Sequence, residues 1–277
     1  MMLVNGRVQD RLSARDRGLH FGDGLFETLA VDAGRALCLE RHLARLGAGC
    51  VRLGVPAPEL AELEEECARV CDGMERAVLK IIITRGVGGR GYRADEDVVP
   101  TRIVACYPWP QHPADARTHG VAVGICSTRL GRNPRLAGVK HLNRLEQVLA
   151  RSEDALGSCP EGLMLDDRGR LIEGIMSNVF VRRGECLSTP DLSECGVAGI
   201  MRELVLEVSQ QACGLVPEIT ALSVDDLTTG EECFLTNSVI GIWPIKSVAG
   251  QVLRTGPAAH QLQKLLTERG AITSDDA

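Results

Sequence analysis

The chain has 277 residues, of which 44% are hydrophobic and 25% charged, with a formal net charge of -6. That length buries a full core in one large domain or two ordinary ones, and the mildly acidic balance gives no long-range pull toward nucleic acid or an anionic membrane. No apolar run nears the ~20 residues that cross a bilayer, and the opening MMLVNGRVQDRLSARDRG lacks a signal peptide's basic-then-apolar order, so a cytoplasmic location is expected. The eleven cysteines fall singly, mostly in apolar stretches, with no C-x-x-C pair and no zinc spacing; this predicts buried free thiols and no metal site.

In chain order, residues 2–9 alternate like a strand pair turning at Asn5-Gly6. Residues 25–31 and 36–39 read as strands around Asp32-Ala33-Gly34. Residues 40–53 place Leu43, Leu46, Cys50 and Leu53 at helical spacing, and 58–72 form an acidic helix. AVLKIIITR and TRIVACYPW are strands. Residues 109–120, WPQHPADARTHG, are polar and proline-bearing and read as a linker. VAVGICSTRL continues as a strand, HLNRLEQVLARSEDALG as a helix ended by Gly157, and GLMLDDRGRLIEG as a hairpin turning at 167–169. SNVFVRRGECLST gives strands, MRELVLEVSQQACG an amphipathic helix, ECFLTNSVIGIWPI a strand pair, and 256–269 a last helix. Strands and helices alternate without an internal repeat. The expected fold is α/β or α+β in two domains, 1–110 and 120–277, joined by a linker at 111–119.

Gly86-Val87-Gly88-Gly89-Arg90-Gly91 matches G-x-G-x-x-G after a strand. A dinucleotide fingerprint also requires a helix opening at the glycines and an acid about 20 residues on. YRADEDVVPTR has no helical pattern, and 106–111 holds no acid. The segment reads instead as a hairpin loop whose Arg90 has a substrate to hold.

Lys140, in GVKHLNRLEQVLA, alone reads as a solvated lysine. Its company changes that. FGDGLFET (21–28), RHLARL (41–46), TRGVGGRGY (84–92), LIEGIMSNVF (171–180), GVAGIMR (196–202) and LTNSVIGIWPI (235–245) follow one another along the chain. Together with the Lys140 segment, this set resembles the fold-type-IV pyridoxal-phosphate (PLP) enzymes, which include branched-chain and D-amino-acid aminotransferases and aminodeoxychorismate lyase. GGRGY combined with LGRNPRLAGVKHLNRLEQ is similar to the lyase branch in particular.

The resemblance implies a homodimer with a smaller N-terminal α/β domain and a larger C-terminal domain holding a barrel-like sheet. It implies PLP as cofactor and a reaction that takes 4-amino-4-deoxychorismate to 4-aminobenzoate and pyruvate. Lys140 is then the lysine that holds the PLP aldehyde and later acts as general base. Glu173 is the anionic partner of the ring nitrogen, with Asn178 supporting it. Gly199 and Ile200 offer backbone amides to the phosphate at a helix N-terminus. Asn237 and Ser238 provide a second phosphate contact, and Arg45 reaches the same group. Arg90 and Tyr92 fall in the loop that binds a substrate carboxylate, for which a guanidinium fork is suited. Thr28 brings a hydroxyl to the substrate, Arg132 and Arg144 are further cationic candidates, and His141 packs or caps. Leu145 stands where many aminotransferases of the family carry a tyrosine, and Phe26 where D-amino-acid relatives carry one. Both departures favour the lyase over a D-amino-acid or branched-chain aminotransferase. A non-catalytic PLP-binding protein would need neither a proton acceptor nor a substrate clamp.

Overall fold

A computed structural model describes residues 1–95 and 97–274; residues 275–277, the expected end of the second domain, lie outside the described residues. The chain divides into two compact units, one of residues 1–110 and 139–143, the other of 111–138 and 144–277.

The first unit is built on a six-stranded sheet in the order Arg7–Val8, Met2–Val4, Thr101–Pro108, Arg76–Thr84, Gly24–Asp32, Arg35–Ala36. Every pairing in it is antiparallel. Alternation along VLKIII sends Leu79, Ile81 and Ile83 to one face, where they join Leu25 and Leu29 under the helices Leu39–Leu53 and Leu60–Cys71. Gly49 lets the first of these helices lie close, since a Cβ there would already touch the Leu25 methyls at 3.1 Å. The opposite face carries Phe26, Thr28, Lys80 and Ile82, all half-buried.

The second unit holds a nine-stranded mixed sheet. Its main path runs Val216–Thr220, Cys186–Pro190, Asn178–Arg183, Glu232–Asn237, Gly241–Val248, Val121–Leu130, Glu161–Asp166, Leu171–Gly174, with Gln251–Val252 beside Gly241–Val248. Phe180 and Phe234 stack at 5.1 Å between centroids in its core. The helices Ile200–Cys213 and Pro257–Glu268 also belong to this unit.

Three expectations change. Residues 111–119 are not a free linker: they hold the helix Ala116–His119, Ala116 is buried, and the Arg117 guanidinium donates to the carbonyls of Ile240 and Thr273. The helix expected over 141–157 shrinks to Leu145–Arg151 and a single 3-10 turn, Asp154–Leu156. Its first residues are taken by strand-like pairing, because His141 bridges Leu25 and Asn143 Nδ2 donates to the Gly22 carbonyl. Residues 139–143 therefore pack with the first unit although their neighbours in sequence belong to the second.

Candidate active site

In the first unit, backbone pairing fixes Lys140. The Phe26 N–H donates to the Lys140 carbonyl at 3.0 Å and the Leu142 N–H to the Gly24 carbonyl at 3.0 Å. The Lys140 ammonium then stands 4.3 Å from the centre of the Phe26 ring, on the sheet face that also carries Thr28. His141 caps, as its Nδ1 accepts from the Asn143 N–H.

Behind that strand lies a buried charge network. Glu27, 1% exposed, accepts from Arg45 Nε at 2.8 Å and from a second Arg45 nitrogen, and is hydrogen-bonded to His42 Nδ1 at 2.6 Å. Burial alone would raise the Glu27 carboxyl, but hydrogen bonds from His42 and Arg45 hold it below the usual range. Burial pushes His42 below the ordinary imidazole value, against the pull of Glu27 and helped by the charges of Arg45 and Lys140. The network orients the Arg45 guanidinium from behind.

Arg90 and Tyr92 sit in an exposed loop, Tyr92 89% exposed. The loop is held by a residue that the sequence reading passed over. Arg17, 3% exposed, donates to the carbonyls of Gly91 (2.8 Å) and Tyr92 (2.9 Å) and to Asp23 (2.9 Å). Its guanidinium also lies 4.8 Å from the Phe21 ring centre, and Phe21 packs against Tyr92. Burial would raise the Asp23 carboxyl, but Arg85 and then Arg17 keep it low. The G-x-G-x-x-G spacing thus serves a clamp: Gly86 turns at φ 89°, and a Cβ on Gly88 would press on the Arg17 stem at 2.8 Å.

In the second unit, Glu173 is only 4% exposed and accepts from the Val197 N–H at 2.8 Å. Arg144, its pKa depressed by burial, takes opposing support from the charges of Glu173 and Glu146. Asn178 Nδ2 donates to the Val197 carbonyl at 2.9 Å, so Asn178 ties its strand to the 196–199 segment. That segment opens the helix Ile200–Cys213 at Gly199, which has no side-chain cap. The first-turn N–H groups of a helix have no partner within it, so they face outward as anion donors. Nearby in register, Thr236 opposes Asn178, and its buried hydroxyl has no hydrogen-bond partner among the described residues. Glu161, also passed over, accepts from the N–H groups of Ile175 and Met176 and from the Ser177 hydroxyl, fixing the turn between Glu173 and Asn178.

Two expected contacts are otherwise engaged. The Asn237 side chain is spent on its own turn, accepting from Val239 and Ile240 and donating to Met176, which leaves the adjacent half-buried Ser238 for a phosphate. Arg132 is paired with Asp167 (2.5 Å) and Glu194 (3.2 Å) in a surface network with Arg170.

These features fit PLP. An uncapped helix N-terminus and an orphaned buried hydroxyl suit a phosphate, and a buried carboxylate suits a protonated ring nitrogen.

The amino-transferase class IV model matches residues 24–248. Aminodeoxychorismate lyase of Vibrio harveyi is 34% identical over 249 residues, covering 90% of this chain and 92% of that protein. The crystal structure of 4-amino-4-deoxychorismate lyase from Pseudomonas aeruginosa superposes with a TM-score of 0.91 at 45% identity, covering 97% of this chain and 98% of that one. The PLP-bound form of a hypothetical aminotransferase from Mycobacterium tuberculosis superposes with a TM-score of 0.83 at 25% identity over 100% of both chains. The chain belongs to the amino-transferase class IV family.

Proposed function

We propose that this chain is a PLP-dependent lyase that converts 4-amino-4-deoxychorismate to 4-aminobenzoate and pyruvate. The observation that carries the reading is the 45% identity to a 4-amino-4-deoxychorismate lyase at a TM-score of 0.91, joined to a Lys140 held by strand pairing. Bound PLP supplies an electron sink for the negative charge left when a proton leaves the substrate carbon bearing nitrogen.

The chain's own residues do the rest. Lys140 Nζ would hold the cofactor aldehyde and, once free, would remove that proton as general base. Glu173, which accepts from the Val197 N–H, faces the ring nitrogen and favours its protonated form. The Gly199–Ile200 amides, Ser238 and Arg45 take the phosphate, the last oriented by Glu27 and His42. Arg90 and Tyr92 bind a substrate carboxylate from the loop that Arg17 clamps. The protonated Lys140 returns its proton to the departing enolpyruvyl group, which leaves as pyruvate while the ring becomes aromatic. Thr28, on the Phe26 face, offers its hydroxyl to the substrate.

The working unit is a homodimer. Leu145, Val148 and Leu149 recur at helical spacing on Leu145–Arg151 and are 75%, 57% and 61% exposed, an apolar face that a second copy covers. No helix among the described residues is long and apolar enough to cross a membrane. We place the enzyme in the cytoplasm, where its free cysteines stay reduced.

The test is to incubate the PLP-loaded protein with 4-amino-4-deoxychorismate and no amino acceptor, following both products. Equal release of pyruvate and 4-aminobenzoate, abolished in a folded Lys140→Ala variant, is the expected result. Turnover of an amino acid with 2-oxoglutarate, and none of the chorismate derivative, would replace the lyase with an aminotransferase.

A further inference from the structure

Several of the cysteines are inert by burial. Cys50 is pushed up to about 11, and Cys67, Cys195 and Cys233 up to about 12, because an apolar core disfavours the thiolate. Cys71 and Cys106 differ because they meet. Their sulfurs lie 3.7 Å apart in a thiol–thiol hydrogen bond that joins the helix Leu60–Cys71 to the strand Thr101–Pro108. They are 35 positions apart in sequence, so only the fold brings them together. Cys106 is opposite Leu79 in register, which places it on the sheet face under the helices and away from Phe26 and Thr28.

The two thiols are not equivalent. Cys106 is half-buried and Cys71 is buried. Cys71 is also the last residue of its helix, whose carbonyl end disfavours a negative charge. Cys71 therefore donates and Cys106 accepts. The hydrogen bond holds the Cys106 thiol below its ordinary value, against the effect of burial, and raises Cys71, which burial raises further. The more reactive sulfur is thus the more accessible one, and a second sulfur is already in contact to resolve what forms on it.

We propose that Cys71 and Cys106 are a dithiol modification site, oxidised by a peroxide to a reversible disulfide that staples the helix to the strand. The Cys106 thiolate attacks one peroxide oxygen and the O–O bond breaks. The hydroxide released takes up the proton that Cys106 gave up, leaving water and a sulfenic acid. The Cys71 sulfur then attacks the Cys106 sulfur. The S–O bond breaks, the Cys71 thiol proton leaves with the hydroxyl as a second water, and the S–S bond forms. One peroxide is reduced to two waters as two thiols are oxidised. In a reducing compartment both cysteines rest as thiols, and a dithiol reductant restores them. The cross-link closes the chain over residues 72–105, which include the strand Arg76–Thr84 and the Arg90 loop, so it removes freedom from the unfolded chain. It also stops Cys106 short of the irreversible sulfinic acid.

The experiment treats reduced, PLP-loaded protein with equimolar hydrogen peroxide, blocks the remaining thiols with N-ethylmaleimide, and maps the peptides by mass without reduction. The expected result is the loss of two thiols per chain and one linked peptide pair, Cys71 with Cys106, released by dithiothreitol. The melting temperature should rise by about 5 °C or more on oxidation and return on reduction. In Cys71→Ala the sulfenic acid on Cys106 should persist long enough to be trapped by dimedone, and excess peroxide should drive it on to sulfinic acid. Retention of all eleven thiols would overturn the proposal. So would a link from Cys106 to Cys67, one turn earlier on the same helix, or a linked chain that melts no higher than the reduced one. The wild-type map decides even where Cys71→Ala fails to fold. Cys106→Ser, at the less buried sulfur, is then the variant that must form no link.

Discussion

Gly199→Ala should damage the phosphate cradle with a single methyl group. A Cβ at this position falls well inside 3.0 Å of Asn178 Oδ1, closer than side-chain carbons approach any oxygen. The backbone of 196–199 cannot simply retreat, because Val197 is held at both ends: its N–H donates to Glu173 and its carbonyl accepts from Asn178. Asn178 is itself buried and fixed by its strand pairing to Thr236. The overlap must therefore expel the Asn178 amide from its hydrogen bond or push the helix N-terminus away. Overpacking costs about 1–3 kcal/mol and a buried polar group left unpaired another ~1–3, so a loss of roughly 2–6 kcal/mol is expected. Displaced first-turn amides should also weaken PLP binding about ten- to a hundredfold, the worth of one charge-assisted hydrogen bond. Urea unfolding of the PLP-free protein measures the first effect, and fluorescence titration with PLP the second. Gly214→Ala is the control: it ends the same helix at a positive φ of 68° with nothing within 4 Å of a Cβ, so it should cost about 1 kcal/mol and leave PLP affinity alone. Wild-type stability and PLP affinity in Gly199→Ala would refute the argument.

Thr236→Val separates two uses of a buried hydroxyl. If nothing binds it, the isosteric swap is neutral or stabilising; if phosphate does, the PLP dissociation constant rises about tenfold, and titration decides. Arg17→Lys cannot keep three hydrogen bonds in one plane, so trypsin should cut faster after Arg90 and Arg93 and KM should rise more than kcat falls; equal cutting rates would remove the clamp. Acid should destabilise the first unit in a defined order. Folded His42 has a lowered pKa, so below about 6.5 the unfolded chain takes up a proton that the folded chain refuses, and stability falls with pH at up to ~1.4 kcal/mol per unit. Glu27, also lowered, contributes stability above its ordinary 4.5 that is lost as pH falls further, through its folded value. His42→Gln should flatten the slope of urea midpoints between pH 6.5 and 5, and an unchanged slope would assign the acid lability elsewhere.

Elements with a strong period or a sharp stop were legible in the sequence. Leu43, Leu46 and Cys50 announce the helix Leu39–Leu53, and Asn5-Gly6 announces the first hairpin, where both residues adopt positive φ. What failed was decided by distant partners. HLNR continues a helical pattern, yet residues 141–143 pair with residues 22–25, which come over a hundred positions earlier. WPQHPADARTHG has the composition of a linker, but Arg117 spends its guanidinium on residues near 240 and 273. The helix Val224–Thr229 was missed although its signal was local: Ser223 and Asp226 form a capping box that S-x-x-D spells out.

The candidate site divides along the same line. Lys140, Glu173 and the glycine at 199 stand out in the sequence because resemblance reads residue type in order, and the chemistry expected of them is tied to type. The residues that hold them do not, because holding depends on who is opposite. Glu27 and Glu161 look in sequence like ordinary strand glutamates, yet both are buried and each accepts at least three hydrogen bonds. Arg17 is one of four arginines in the first seventeen residues, and only the loop returning at 91–92 distinguishes it from Arg7, Arg11 and Arg15.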